Sequence, residues 1–120
     1  MKLHLLTCII LGLFLGACKS NTDERAQNII GTWDVYQSNM NSKPNGFMKD
    51  AYFDFKADST VESNVFEDNN PHTYQLEGNR LIIDAKIPFD LNIGRLDRDS
   101  MYLEGKMSYY YMEYFLVKRK

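Results

Sequence analysis

From Gly31 onward, apolar residues recur at every second position, the period of a strand that buries one face. Trp33 and Val35 keep this beat in residues 31–38, Phe53 and Phe55 in 52–56, Val61 and Val65 in 60–66, and Tyr74 and Leu76 in 72–77. Leu81 and Ile83 carry 80–85. Ile87, Phe89, Leu91 and Ile93 carry the next run, and Met101 and Leu103 mark 100–105. The last run, 108–118, is apolar on both parities, so either Phe115 and Val117 or Tyr110, Met112, Tyr114 and Leu116 face inward. Eight candidate strands result, against a single polar helical turn or two at 23–30.

The separators carry turn chemistry. Ala57-Asp58-Ser59 follows Phe55, Gly78-Asn79 supplies a pair suited to positive φ, and residues 97–100 and Gly105-Lys106 do the same later. The longest breaks are 39–49, with Pro44-Asn45-Gly46, and 67–71. Connections this short predict sequential antiparallel pairing, a meander. A flat meander of this size would expose two edges and one apolar face, so closure into a barrel is expected. A transmembrane barrel needs lipid-facing strands of about 9–11 residues. Most runs here are shorter, and the opposite faces carry Asp34, Asp54, Lys56, Glu62, Asp84 and Glu104. The expected fold class is therefore all-β: a small, eight-stranded, antiparallel up-and-down barrel facing water. Trp33, Phe53, Phe55, Leu76, Leu81, Ile83, Phe89, Leu91 and Leu103 are its expected core.

Composition removes several function classes. The chain has 120 residues, 14 basic against 16 acidic, and a net charge of −2. Without a basic block it does not read as a nucleic-acid binder held by phosphate contacts. Both cysteines, Cys8 and Cys18, precede the strand region, which therefore holds no thiol nucleophile and no disulfide. His72 is the one histidine of that region; a zinc site needs about three or four converging ligands. No glycine-rich phosphate loop is present. The reading is a protein that is not an enzyme and calls for no cofactor and no metal.

The first residues read as an address. Met1-Lys2 and an apolar run from Leu5 to Leu15 lead into Leu15-Gly16-Ala17-Cys18. A basic start, an apolar stretch of about 7–15 residues and small residues before the cut describe a secretory signal. The tetrapeptide resembles the lipobox of bacterial lipoproteins. That resemblance implies cleavage after Ala17, diacylglycerol on the Cys18 thiol and acylation of the new amino group. The expected organisation is a signal at 1–17, a polar tether at 18–27 and a barrel domain at 28–120. Lys19 follows the cysteine where an Asp would resemble an inner-membrane retention signal, so the implied location is the envelope of a Gram-negative bacterium, outer membrane ahead of inner.

Gly31-Thr32-Trp33, opening the first strand of such a barrel after a short helical turn, resembles the lipocalins. The order of motifs is similar to short bacterial lipocalin-like lipoproteins: Phe53-Asp54-Phe55 with Asp58-Ser59, then Tyr74-Gln75-Leu76-Glu77-Gly78-Asn79-Arg80-Leu81-Ile82-Ile83. The resemblance implies a binding role. Trp33, Phe53, Phe55, Tyr74, Phe89, Met101, Tyr109 and Tyr111 are the candidate ligand-lining or core-lining residues. It also implies a closing pair, in which an arginine near the end of the last strand packs over the Gly-x-Trp tryptophan. If Phe115 and Val117 face inward, Arg119 shares their side and stacks on Trp33; otherwise 118–120 is a basic tail in solvent.

Two function classes stay open. One is a lipid-anchored envelope protein binding a small apolar or amphipathic ligand. The other is an interaction module, an assembly accessory or inhibitor-like barrel, whose partner is an envelope protein and whose core is packed solid. Interior volume separates them: an enclosed void above about 300 Å³ supports the first, and a filled core supports the second.

Overall fold

A computed structural model describes residues 21–46 and 48–120; the expected signal at 1–17 and the expected lipid site at Cys18 lie outside the described residues. Helix α1 (Asn21–Asn28) precedes nine strands: β1 (Gly31–Met40), β2 (Lys43–Pro44), β3 (Tyr52–Phe55), β4 (Thr60–Ser63), β5 (His72–Glu77), β6 (Arg80–Ile83), β7 (Phe89–Leu96), β8 (Ser100–Met107) and β9 (Tyr110–Lys118). They pair antiparallel in the order β2-β1-β3-β4-β5-β6-β7-β8-β9, and a further β1–β9 pairing closes the sheet. The two-residue β2 only extends the wall beside β1, at Asn39↔Pro44 and Met40↔Lys43. The wall is thus the expected closed, eight-stranded antiparallel barrel. No described helix is long and apolar enough to cross a membrane.

Register gives the barrel two unlike ends. At the base, Gly31 opposes Phe55 and Trp33 opposes Lys118. At the mouth, Met40 opposes Met112, and Met107 opposes Tyr110. β1 is long because it is the seam, taking β3 at its base half, β2 at its mouth end and β9 along most of its length. A bulge between Val35 and Gln37 shifts its parity. Trp33 and Val35 therefore point in, Tyr36 is thrown outward, and Ser38 returns to the interior. A second bulge lies between Ile93 and Arg95. There Gly94 admits the Tyr102 ring so closely that a Cβ would stand 2.6 Å from it.

The lower and middle interior is filled by rings and branched chains. Phe55 meets Tyr74 edge-on at 5.0 Å, and Phe53 meets Phe89 at 5.9 Å, with Leu81, Ile83, Leu91, Met101, Leu103 and Leu116 closing around them. The expected turns hold the strands in register. Asp58 accepts from Thr60 N (3.0 Å), Gly78 takes φ 60°, and Asp97 accepts from Ser100 N (3.0 Å).

Three expectations are corrected. The strand read over 60–66 stops at Ser63, because the Asn64 side chain replaces the ladder, accepting from Tyr52 N (3.0 Å) and donating to Asp50 O (2.9 Å). Val65 is consequently half-buried and Phe66 takes the interior position. Ile87 is 62% exposed, since Pro88 has no N–H for the ladder and β7 starts after it, at Phe89. Leu76 is half-buried, near the base end of β5 beside α1. The short helix expected at 23–30 is present as α1, Asn21–Asn28. Eight residues are too few for a stable isolated helix; Arg25 docks this one, its guanidinium donating to Gly78 O (2.9 Å) and to the Asn79 side chain.

Candidate functional site: the barrel mouth

The base is sealed by the tryptophan that opens β1. Trp33 is fully buried and its indole N–H donates to Ile29 O at 2.8 Å, fixing the chain as it leaves α1. Ile29, also fully buried, plugs the same end. The cation over the indole is Lys118, with Nζ 5.0 Å from the ring centroid and donating to Asn28 O (2.9 Å), a carbonyl at the negative end of α1. This corrects the expected Trp33–Arg119 pair. Met112, Tyr114 and Leu116 are the inward residues of β9 while Val117 is 41% exposed. Period-two alternation then gives Lys118, not Arg119, the inward place. Arg119 lies outside, bonded through two nitrogens to Asp34 (3.0 and 2.6 Å) and 5.6 Å from the Tyr52 ring. The guanidinium holds the Asp34 carboxyl below its ordinary range.

The opposite end is open. A cleft of about 580 Å³ occupies the mouth, floored by Phe66, Phe89, Met107 and Tyr114 and overhung by Met48. Loops position these groups. A turn closed by Lys49 N to Gly46 O (3.1 Å) and Ala51 N to Met48 O (3.0 Å) tucks in Met48, which is 5% exposed. The break at Ser63 delivers Phe66, whose ring packs edge-on against His72 (4.7 Å) and Phe89 (6.0 Å). The interval before β7 delivers Ala85, Lys86 and Ile87 to the rim.

Charge at this rim is paired. Lys86 meets Glu67 at 3.0 Å. His72 Nε2 lies 2.8 Å from Asp68 Oδ1, and its Nδ1 lies 3.1 Å from Asp84 O. Both neighbours can only accept, so the ring satisfies them together only as an imidazolium. The Asp68 carboxylate accordingly raises the His72 pKa, and that of Asp68 is lowered in turn, first by the same hydrogen bond. On the floor, the Tyr114 hydroxyl donates to the Met107 thioether at 3.5 Å, a weak acceptor. Burial pushes this phenol up to about 12, so it remains a donor at any physiological pH. Among the described residues, no three His, Cys, Asp or Glu side chains converge on a metal position.

Of the sequence-derived candidates, Phe89 alone lines this cleft, with Phe53 packed beneath it. Trp33, Phe55, Tyr74 and Met101 are barrel filling, and the Tyr74 hydroxyl is spent on Lys56 O (3.0 Å). Tyr109 and Tyr111 are corrected to the outside. Tyr109 is 88% exposed in the β8–β9 turn, and Tyr111 has the outward parity of β9, its hydroxyl donating to Glu104. Sequence reasoning did not select Met48, Phe66, His72 or Lys86 as cleft residues, whereas Tyr114 and Met107 belong to the aromatic and methionine cluster of the last strands that suits a pocket. The usable signals were the loss of alternation at Val65-Phe66 and the second parity of the last run.

The outer wall of β1, β8 and β9 carries a separate aromatic stripe. Phe115 stacks on Tyr102 at 4.8 Å and meets Tyr36 at 6.3 Å. Beside it the Tyr102 hydroxyl donates to Glu113 (2.5 Å), which also accepts from Asn39 (3.2 Å).

No protein-family model matches this chain, and no curated protein matches it. Among solved structures, the fold is similar to the crystal structure of a lipocalin-like protein from Bacteroides uniformis ATCC 8492, with a TM-score of 0.57 and 14% sequence identity over 77% of this chain and 99% of that one. A likeness at this identity concerns the fold. The barrel from Gly31 to Lys118, closed at its base by a buried tryptophan, is lipocalin-like.

Proposed function

We propose that this chain is a lipid-anchored binding protein of the Gram-negative cell envelope that takes a small apolar or amphipathic molecule into the mouth of its barrel. The mouth cleft carries this reading. Its volume of about 580 Å³ lies within the range of small-molecule sites, its floor is apolar, and its charges stand paired at the rim. A lipocalin-like barrel is a binding-protein type of fold, and nothing in the reading requires a reaction. The anchor rests on Leu15-Gly16-Ala17-Cys18, and the outer-membrane preference on Lys19. Three acyl chains, at about 0.8 kcal/mol per buried methylene, far exceed the single chain that binds membranes only marginally.

Native mass spectrometry of the protein from its own envelope tests both halves together. The expected result is loss of residues 1–17, a mass increment on Cys18 and a co-purifying small molecule. A Cys18→Ala chain that stays in the membrane fraction at unchanged mass would remove the anchor. A ligand-free protein that no apolar probe enters would remove the binding role. The stripe of Tyr36, Phe115 and Tyr102 favours a second reading, an interaction module, in which substitutions there and not at the mouth abolish function.

A further inference from the structure

The geometry points to a ligand class and an orientation for the mouth: a neutral lipophilic carbonyl or hydroxyl compound, entering polar end first and accepting a hydrogen bond from the Tyr114 hydroxyl. This rests on the mouth being a binding site. Tyr114 is 3% exposed, and among the described residues its hydroxyl has one polar partner, the Met107 sulfur at 3.5 Å. A buried hydroxyl with so weak an acceptor gains from a better one. Met107 is the right residue to give way: half-buried, unbranched, at the mouth end of β8 and itself part of the cleft floor. Its thioether stands where a ligand oxygen would sit.

The same surroundings select against other heads. A carboxylate at the floor would find one O–H donor, and the described cations of the cleft, Lys86 and His72, are at the rim and already held by Glu67 and Asp68. Desolvating an ionised head there would go uncompensated. A cationic head finds no described carboxylate on the floor, and its hydration would be lost in the same way. A pure hydrocarbon fits the apolar walls yet leaves the Tyr114 hydroxyl with sulfur alone.

The test uses the full chain in lipid nanodiscs, with empty nanodiscs subtracted, titrated calorimetrically with n-decane, methyl octyl ketone and decanoate. On the native chain decanoate should bind weakest, and the ketone should bind about fivefold to tenfold more tightly than it does to the Tyr114→Phe chain, the worth of one buried hydrogen bond. Decane, which uses no donor, should change by less than the ketone between the two chains. Met107→Leu, which removes the competing sulfur, should tighten the ketone relative to the native chain and guards against a folding defect specific to the phenylalanine variant. Decanoate binding tightest, equal losses of ketone and decane on Tyr114→Phe, or a ketone affinity indifferent to that substitution would overturn the assignment while leaving the mouth a binding site. Failure of all three probes to bind would overturn the binding site itself, and the assignment with it.

Discussion

The two ends of this barrel each bury a tyrosine, and the two are served differently. At the base-side end Tyr74 gives its hydroxyl to a backbone carbonyl, Lys56 O, and packs its ring edge-on against Phe55. At the mouth Tyr114 gives its hydroxyl to a thioether beside open space. One end closes around bonded donors: the indole N–H on Ile29 O, the Lys118 ammonium on Asn28 O, the Arg25 guanidinium on the β5–β6 turn. The other is framed by loops whose polar groups bond to one another at the rim and leave the floor apolar. The lesson is that burial alone does not separate filling from site. The quality of the partner given to each buried polar group does.

The largest test of that contrast is a pair of truncations. Phe55→Ala, at a side chain 1% exposed on the base side, should cost about 3–5 kcal/mol in chemical denaturation. That is a large share of the roughly 5–15 kcal/mol that holds a typical domain folded. Ile87→Ala at the rim, where the side chain is 62% exposed, should stay within about 0.5 kcal/mol. Equal losses would mean that the mouth is packed as the base is.

Next comes the seal. Lys118→Ala removes a half-buried cation from both the Trp33 ring and the end of α1, and should lower stability by about 1–2 kcal/mol. Arg119→Ala breaks a surface pair with Asp34 and should cost about 0–1 kcal/mol, less at high salt. The reverse order in urea melts would return the closing role to Arg119.

The smallest effect concerns the rim and pH. Because Asp68 raises the His72 pKa, the contribution of their bridge is complete below the ordinary histidine value of 6.5 and is lost as pH rises through the raised one. Because the Asp68 pKa is lowered, the contribution persists to below the ordinary 3.8 and is lost as pH falls through the lowered value. Hydrogen exchange at residues 64–71 should therefore be slowest, after correction for intrinsic rates, between those limits. The facing groups are Asp68, the Asp84 carbonyl and carboxylate and the Phe66 ring, with Glu67 and Lys86 paired alongside. His72→Gln should flatten the profile on its alkaline side; an unchanged profile would assign it to other groups.

Much of this molecule was legible in the order of its residues. Alternation located the eight wall strands, Asp58-Ser59 and Gly78-Asn79 located turns, and Gly31-Thr32-Trp33 marked the strand that begins at the sealed end, because side-chain period and positive-φ chemistry are local properties. Three matters were left to the tertiary structure. The parity of β9 was one: a strand apolar on both sides has no inward face until its neighbours bond to it, and the register Trp33↔Lys118 passed the closing role from Arg119 to Lys118. The bulge at Val35/Gln37 was another, since pairing with β9 reveals it and it sends Tyr36 outward and Ser38 in. The third was the site. Residues as distant in sequence as Met48, Phe66, Phe89 and Tyr114 converge only when the sheet closes and the loops at one end are brought together. A hydrophobic pattern records which residues avoid water; where the barrel stops being full is settled by how many of them reach the same end.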